Sequence, residues 1–252
     1  VLTTTPRPVP LLKRLLDEPG TAVTRMRTVE NRANLAPGFV EAMERRYGGS
    51  RLARQELDGD LIEAREDALF SRSRIDAQRV REAPPLRRIV VAVDPPATGT
   101  QRSDACGIVA AGLADDGTVF VLADRSRRAV KPPEWAGLAV SLFRDLEADR
   151  IVAEVNQGGD MVEAVIRAVA PDVPVRGVRA TRGKWLRAEP VAALYEQNRV
   201  RHAGLFAELE DEMADFGSDG LSNGRSPDRL DALVWAVTAL VQPRAEPRVR
   251  GL

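Results

Sequence analysis

The stretch "RRIVVAVDPP" (87–96) is an apolar run that stops on a carboxylate, Asp94, and is then closed by two prolines. The run Ile89 to Val93 suits a buried strand. Pro95 and Pro96 offer no backbone donors, so the strand ends at Asp94. A carboxylate there is costly if buried without a partner, which makes Asp94 either a solvated turn residue or an ion ligand.

Downstream of this run the pattern is regular. Gly107 to Leu113 and Val119 to Asp124 are apolar runs on either side of "DDG" (115–117), the signature of an antiparallel hairpin. A helix is expected from Pro133 to about Ala148, with Trp135, Leu138, Leu142, Phe143 and Leu146 at helical spacing. The strand "RIVAEV" (150–155) follows, then a helix from about Met161 to Val169 and the strand "VPVRGVRA" (173–180). A helix near Glu189 to Gln197, the short strand "RVRH" (199–202) and the apolar helix "SPDRLDALVWAVTALVQ" (226–242) complete the chain. Ser226, Pro227 and Asp228 suit the cap and first turn of that last helix. The expected fold class is α/β: a mixed sheet of order 3-2-1-4-5 with strand 2 antiparallel, flanked by helices.

Upstream, residues 1 to about 80 are arginine-rich and more irregular. Helix-like segments cover Leu11 to Asp17, Pro37 to Tyr47 and Arg51 to Leu61, and Thr24 to Thr28 reads as a short strand. Pro84 and Pro85 mark a boundary, giving an expected division into 1–85 and 86–252. The chain begins without methionine and shows no signal peptide, and it reads as cut from something longer.

Composition narrows the function classes. With 44% hydrophobic and 29% charged residues, the chain suits a soluble globular protein with one large core or two smaller ones. Lys plus Arg and Asp plus Glu both number 37, so net charge names no partner and any nucleic-acid site must be a local patch. The single cysteine, Cys106, excludes an internal disulfide and a cysteine zinc site, and fits a reducing cytoplasm. No apolar run is long enough to span a membrane.

Three acids occupy comparable positions: Asp94 ends the first strand, Glu154 lies near the end of a neighbouring one, and Asp228 begins the last helix. Ligands of open sheets bind outside the carboxyl ends of strands, where strand order reverses. Carboxylates that converge there either rise in pKa or are neutralised by a divalent cation. Oxygen ligands favour Mg2+ or Mn2+, and two such ions suit phosphodiester hydrolysis. Taken singly, Asp94 reads as a turn residue and Asp228 as a helix cap, whereas a glutamate within "IVAEV" is poorly tolerated unless something ionic receives it. Asp104 is either a loop ligand or the start of the second strand. Asp231, one turn after Asp228, is either a second ligand or a hydrogen-bonded support. Asp160 reads as the N-cap of its helix.

"VAVDPPATGTQRSDACGIVAAG" (91–112), "VAEVNQGGDMV" (152–162), "GKWLRAEPVAALYEQNRVRH" (183–202) and "SPDRLDALVWAV" (226–237) together resemble the large terminase subunit of tailed phages and gene transfer agents. "LTTTPRP" (2–8) and "GGSRLARQELDGDLIEA" (48–64) resemble that family's coupling motif and the segment leading to its nuclease. The resemblance implies an RNase H-like nuclease domain over 86–252, preceded by the end of an ATPase domain over 1–85. It also implies Asp94, Glu154 and Asp228 as the nuclease triad, and cleavage of concatemeric double-stranded DNA during genome packaging. The implied partners are the upstream ATPase domain, the small terminase subunit and the portal or procapsid, in the cytoplasm of a bacterial host, with no membrane. ATP is expected only for the full-length motor. A phosphate loop is missing: Gly177 to Trp185 has one residue too many between its glycines and ends Gly-Lys-Trp.

Bases outnumber acids between Arg176 and Arg201, as befits phosphate contacts without sequence reading; a solvated arginine-rich surface is the alternative. Arg182, Lys184 and Arg187 are the candidates for holding DNA. Trp185 either stacks on a nucleotide or packs, with packing favoured. His202, without metal-ligand spacing, is expected at a strand end. Rival readings are a resolvase-like or transposase-like nuclease and a DNA-gripping or procapsid-docking module without catalysis. A sugar-kinase-like fold lacks its phosphate turns.

Overall fold

The computed structural model describes residues 3, 10–47, 57–59, 65, 67–96, 105–156 and 159–242. In the N-terminal part lie α1 (Pro10–Asp17), a 3-10 helix (Thr28–Asn34) and α2 (Phe39–Tyr47). The strand expected at Thr24 to Thr28 does not form, because 21–27 carry no regular structure and Thr28 opens the 3-10 helix. Val23 and Met26 are 60% and 71% exposed. A segment whose apolar side chains stay this exposed gains little from its β-favouring residues. The helix expected at Arg51 to Leu61 lies, apart from 57–59, outside the described residues.

The sheet is built on β1 (Arg88–Asp94). On one side β2 (Gly107–Leu113) pairs with it antiparallel and β3 (Val119–Asp124) returns antiparallel to β2. On the other side β4 (Arg150–Glu154) and β5 (Val175–Val178) follow in parallel. The expected order 3-2-1-4-5 is therefore present, with β6 (Val200–His202) added in parallel along the outer edge of β3. Three residues of β6 carry too little pattern to announce that position, which depends on the crossover that delivers them.

Both faces of the sheet are covered, so β1 reads as a continuous apolar run. Val91, Val93, Ile108 and Ile151 face α4 (Pro132–Asp145) and α5 (Asp160–Val169). Val90, Ala92, Val109 and Val152 face the opposite core, centred on α8 (Asp228–Val241) with α6 (Lys184–Glu196) and α7 (Ala207–Asp215). α8 is apolar nearly all round, as a helix laid across the middle of a sheet must be. A small hairpin, β7 (Phe216–Gly217) and β8 (Gly220–Leu221), links α7 to it.

Two boundaries differ from expectation. α6 begins at Lys184, well before Glu189, and runs through Pro190. The bond lost at Pro190 would have gone to the carbonyl of Leu186, a residue on the outer face that is 53% exposed. At α5 the N-cap is Gly159, with φ of 51°, and Asp160 is the first helical residue. Glycine adopts that positive φ without the strain an aspartate would meet.

Residues before the Pro84–Pro85 boundary enter the same core. Phe70 and Ile75, the latter on α3 (Arg72–Ala77), are 2% exposed and pack with Tyr195, Leu209 and Leu230. Leu69 N–H donates to Phe216 O and Val80 N–H to His202 O, each at 2.9 Å.

Candidate active site

Strand parity aims the first two acids. Asp94 follows Val90 and Ala92 at period two, and Glu154 follows Val152, so both carboxylates point to the face covered by α8. β1 and β4 run in parallel with Val93 beside Ala153. Asp94 and Glu154 therefore end adjacent strands at the same level. Asp228 reaches the same place from the first turn of α8, whose backbone lies on β2. A Cβ on Gly107 would stand 2.0 Å from the Asp228 carbonyl oxygen, so glycine is required for this crossing.

Asp94, Glu154 and Asp228 line one cleft of about 580 Å³, together with Asn156, Arg182, Lys184, Arg187 and Ser226. Burial raises the Asp94 carboxyl well above the usual carboxylate range, with Asp231, Glu154 and Asp228 adding repulsion and Lys184 opposing them. Glu154 is held on both oxygens. Oε2 accepts from Trp235 Nε1 at 2.6 Å and from Arg187 at 3.0 Å, and Oε1 accepts from Asn156 Nδ2 at 2.9 Å. Arg187 also lies over the Trp235 ring, 4.9 Å from its centroid, a cation-π contact.

Asp231 sits behind the cleft and faces two bases. Arg187 donates to its Oδ1 at 3.1 Å, and the Lys184 ammonium pairs with its other oxygen. Burial raises its pKa, opposed first by Lys184 and then by Arg187. Burial disfavours the Lys184 ammonium, but Asp231, Asp94 and Asp228 outweigh it and raise its pKa. Lys184 Nζ also donates to Ser226 Oγ at 2.6 Å.

The candidate DNA contacts separate. Arg182 is exposed on the rim, Lys184 keeps 41% of its side chain accessible, and Arg187 keeps 11% with its terminal nitrogens on carboxylates. Trp185 packs, its ring 5.8 Å from Phe216 and its Nε1 donating to Glu189 at 2.8 Å. Asp104 lies outside the described residues. His202 ends β6 as expected, and is buried between Tyr195 and Glu210. Cys106 is buried against Asp94 and Asp228, its thiol pushed up first by burial and then by their charge.

Trp235 and Asn156 carry no functional reading in the sequence. Trp235 has a traceable signal, since Asp228, Asp231 and Trp235 fall on one helical stripe. Asn156 has only its closeness to Glu154 in the chain.

The donor set suits a hard divalent cation: the acids Asp94, Glu154 and Asp228 line the cleft, with Asp231 behind them, and all offer oxygen. As the side chains stand, no three acidic, histidine or cysteine groups among the described residues are close enough to hold one ion.

This sheet order, with acids at the ends of β1 and β4 and on the covering helix, defines an RNase H-like nuclease-type fold. The family described as "Terminase RNaseH-like domain" matches residues 91–240, and the chain belongs to that family. Its fold is similar to that of part of the HK97 bacteriophage large terminase, with a TM-score of 0.54 at 15% identity over 83% of this chain and 49% of that one. The large terminase nuclease from thermophilic phage G20c gives 0.50 at 15% identity, over 68% and 98%. The chain thus spans about half the length of the HK97 protein and matches nearly all of the G20c nuclease. No curated protein matches its sequence. No described helix is long and apolar enough to cross a membrane.

Proposed function

We propose that this chain carries the metal-dependent endonuclease of a large terminase subunit, which cuts concatemeric double-stranded DNA during genome packaging. The observation that carries the reading is the shared cleft lined by Asp94, Glu154 and Asp228, where burial and the neighbouring carboxylates hold the Asp94 carboxyl well above the usual range. The G20c nuclease, whose fold the chain shares, has been solved with bound magnesium.

Asp94, Glu154 and Asp228 would hold Mg2+ or Mn2+, with Asp104 as a further ligand and Asp231 as a support that steers Lys184 and Arg187. Two such ions supply an activated water and charge neutralisation at the scissile phosphate. Arg182 on the rim and the accessible part of Lys184 bind backbone phosphate, orienting the duplex without reading bases. Asn156 ties that rim to the site: it donates to Glu154, and its Oδ1 accepts from Ala180 N–H at 2.9 Å. Arg187 and Trp235 hold Glu154 from behind.

In the whole protein the upstream ATPase domain would drive translocation, with ATP used there, and the small subunit and portal would be the other partners in the host cytoplasm. Residues 86–252 would form the nuclease proper, with 67–80 as an integral strap rather than part of an ATPase remnant over 1–85.

The test is plasmid cleavage with Mg2+ or Mn2+ by the parent chain and by Asp94→Ala. The parent is expected to nick and linearise, and Asp94→Ala to be inactive with an unchanged melting profile. Parental activity in the variant would overturn the assignment.

A further inference from the structure

α8 opens without a side-chain cap of its own. Its N-cap is Pro227, which has no hydroxyl or carboxylate to offer the first-turn amides. The deficit is met from another helix. Oε2 of Glu212, on α7, accepts from the N–H of Arg229 at 3.0 Å and of Leu230 at 3.3 Å. These are the second and third helical residues, the amides that a serine or aspartate N-cap would serve. Burial raises the Glu212 pKa to about 8, opposed by Arg229, and its oxygen accepts from the two amides in either form.

The adjoining side chain strengthens the same attachment. Arg229 is 6% exposed and donates to Asp124 of β3 and to Glu208 of α7, each at 2.6 Å. On the other side, the Asp228 carbonyl rests on Gly107 of β2 with no room for a Cβ. The main chain at 228–230 is therefore held between α7 and β2, and Asp228 is the residue this turn presents to the cleft. Glu212 does not line that cleft.

We infer that Glu212 is a positioning residue for the nuclease, capping α8 from α7 so that Asp228 is held in place for its ligand role. This rests on the nuclease reading, because it assigns a consequence for metal binding to the cap. Carboxylates that orient ligands from outside the site typically change metal affinity by about 10- to 100-fold when removed.

The test uses the full 252-residue chain in four forms: parent, Glu212→Ala, Glu212→Gln and Val140→Ala. The last removes methyl groups from the opposite core, where Val140 is buried, and controls for general destabilisation. Amide hydrogen exchange without metal reads the cap directly, and calorimetric Mg2+ titration reads its consequence.

In Glu212→Ala the Arg229 and Leu230 amides should exchange at least about 10-fold faster, and Mg2+ should bind about 10-fold more weakly. Glu212→Gln keeps an oxygen acceptor and should follow the parent in both. Val140→Ala should lower the melting temperature and move neither. If Glu212→Ala does not fold, Glu212→Leu, which fills the volume without an acceptor, reads the same two quantities.

Unchanged protection of Arg229 and Leu230 would overturn the inference, as would lost protection with parental Mg2+ affinity. Exchange needs neither metal nor DNA. Parental cleavage by Asp94→Ala would thus overturn the nuclease reading while the cap was still decided by exchange.

Discussion

Trp235 Nε1 donates to Glu154 Oε2 across 2.6 Å, joining the middle of α8 to the end of β4. The pair spans a region where each residue alone reads differently, the indole as core and the glutamate as a buried charge. Together they satisfy each other: the indole N–H gains its acceptor and the carboxylate gains a donor.

Trp235→Phe keeps the packing and removes the donor. Glu154 is then held by Arg187 and Asn156 only. Cleavage at limiting Mg2+ should fall about 10-fold, the low end of what such supporting contacts contribute, with little change in melting temperature. Equal Mg2+ dependence in plasmid-nicking assays would show that the hydrogen bond does not orient Glu154.

Arg187 bridges Glu154 and Asp231 with little of any of the three side chains accessible, at 11%, 14% and 4%. Arg187→Met keeps the stem and leaves two carboxylates without that cation. A metal-free loss of about 3 kcal/mol is expected, in line with breaking one side of a buried pair. Mg2+ or Mn2+ should restore more stability to this variant than to the parent, because only an added cation can replace the guanidinium. Thermal melts with and without metal check both statements, and equal metal-induced shifts would contradict the second.

The buried chain Tyr195, His202 and Glu210 sets an acid limit on stability. Tyr195 Oη lies 2.8 Å from His202 Nε2, and His202 Nδ1 lies 2.9 Å from Glu210 Oε1. Burial favours the neutral form of Glu210, but the bonds from His202 and Arg79 prevail and hold its pKa at about 2, against an ordinary 4.5. Burial lowers the His202 pKa below its ordinary 6.5, opposed by Glu210. Both shifts have the same sign in their consequence. Protons bind the unfolded chain more readily, so stability present at neutral pH is lost as pH falls below 6.5 for His202, and from 4.5 toward 2 for Glu210. Glu210→Gln should cost about 3 kcal/mol at pH 7, because Arg79 and Arg72 lose this buried carboxylate and Arg79 keeps only Asp76 as an ionic partner, and should flatten the decline between pH 5 and pH 3 relative to the parent. Denaturant melts across that range are the check.

Residues 67–80 supply Phe70 and Ile75 to the core that also holds α8. A chain beginning at residue 86 loses both, about 2 kcal/mol of burial for each, and exposes the pocket they filled. Its melting temperature should fall well below that of a chain beginning at residue 65, which retains the strap and the Arg65 contacts to Asp215 and Gly220. Equal melting temperatures would support the division at Pro84–Pro85.

The apolar run ending at Asp94, the hairpin around Asp115–Gly117 and the apolar helix after Ser226 were legible because each is a local pattern. Strand period and turn chemistry act over a few residues, and a carboxylate at the end of a buried strand is conspicuous wherever it occurs. Five strands could be ordered on that basis, and the three acids placed at one end of the sheet. The position of β6 was not legible, because a three-residue strand is placed by the crossover that carries it.

The same distinction separates the acids from what holds them. Asp94, Glu154 and Asp228 could be singled out by residue type and by place in their own elements. Arg187 reads as a candidate DNA contact until α6 folds against α8 and brings it to Glu154 and Asp231, 33 and 44 positions away. Glu212 reads as one acid in an acidic helix until the N-terminus of α8, where Pro227 leaves the first-turn amides without a side-chain cap, arrives beside it. Periodicity along a chain specifies which face of an element is buried. It carries no information about which charged group from another element will meet that face, because that depends on helix crossings set by the whole core.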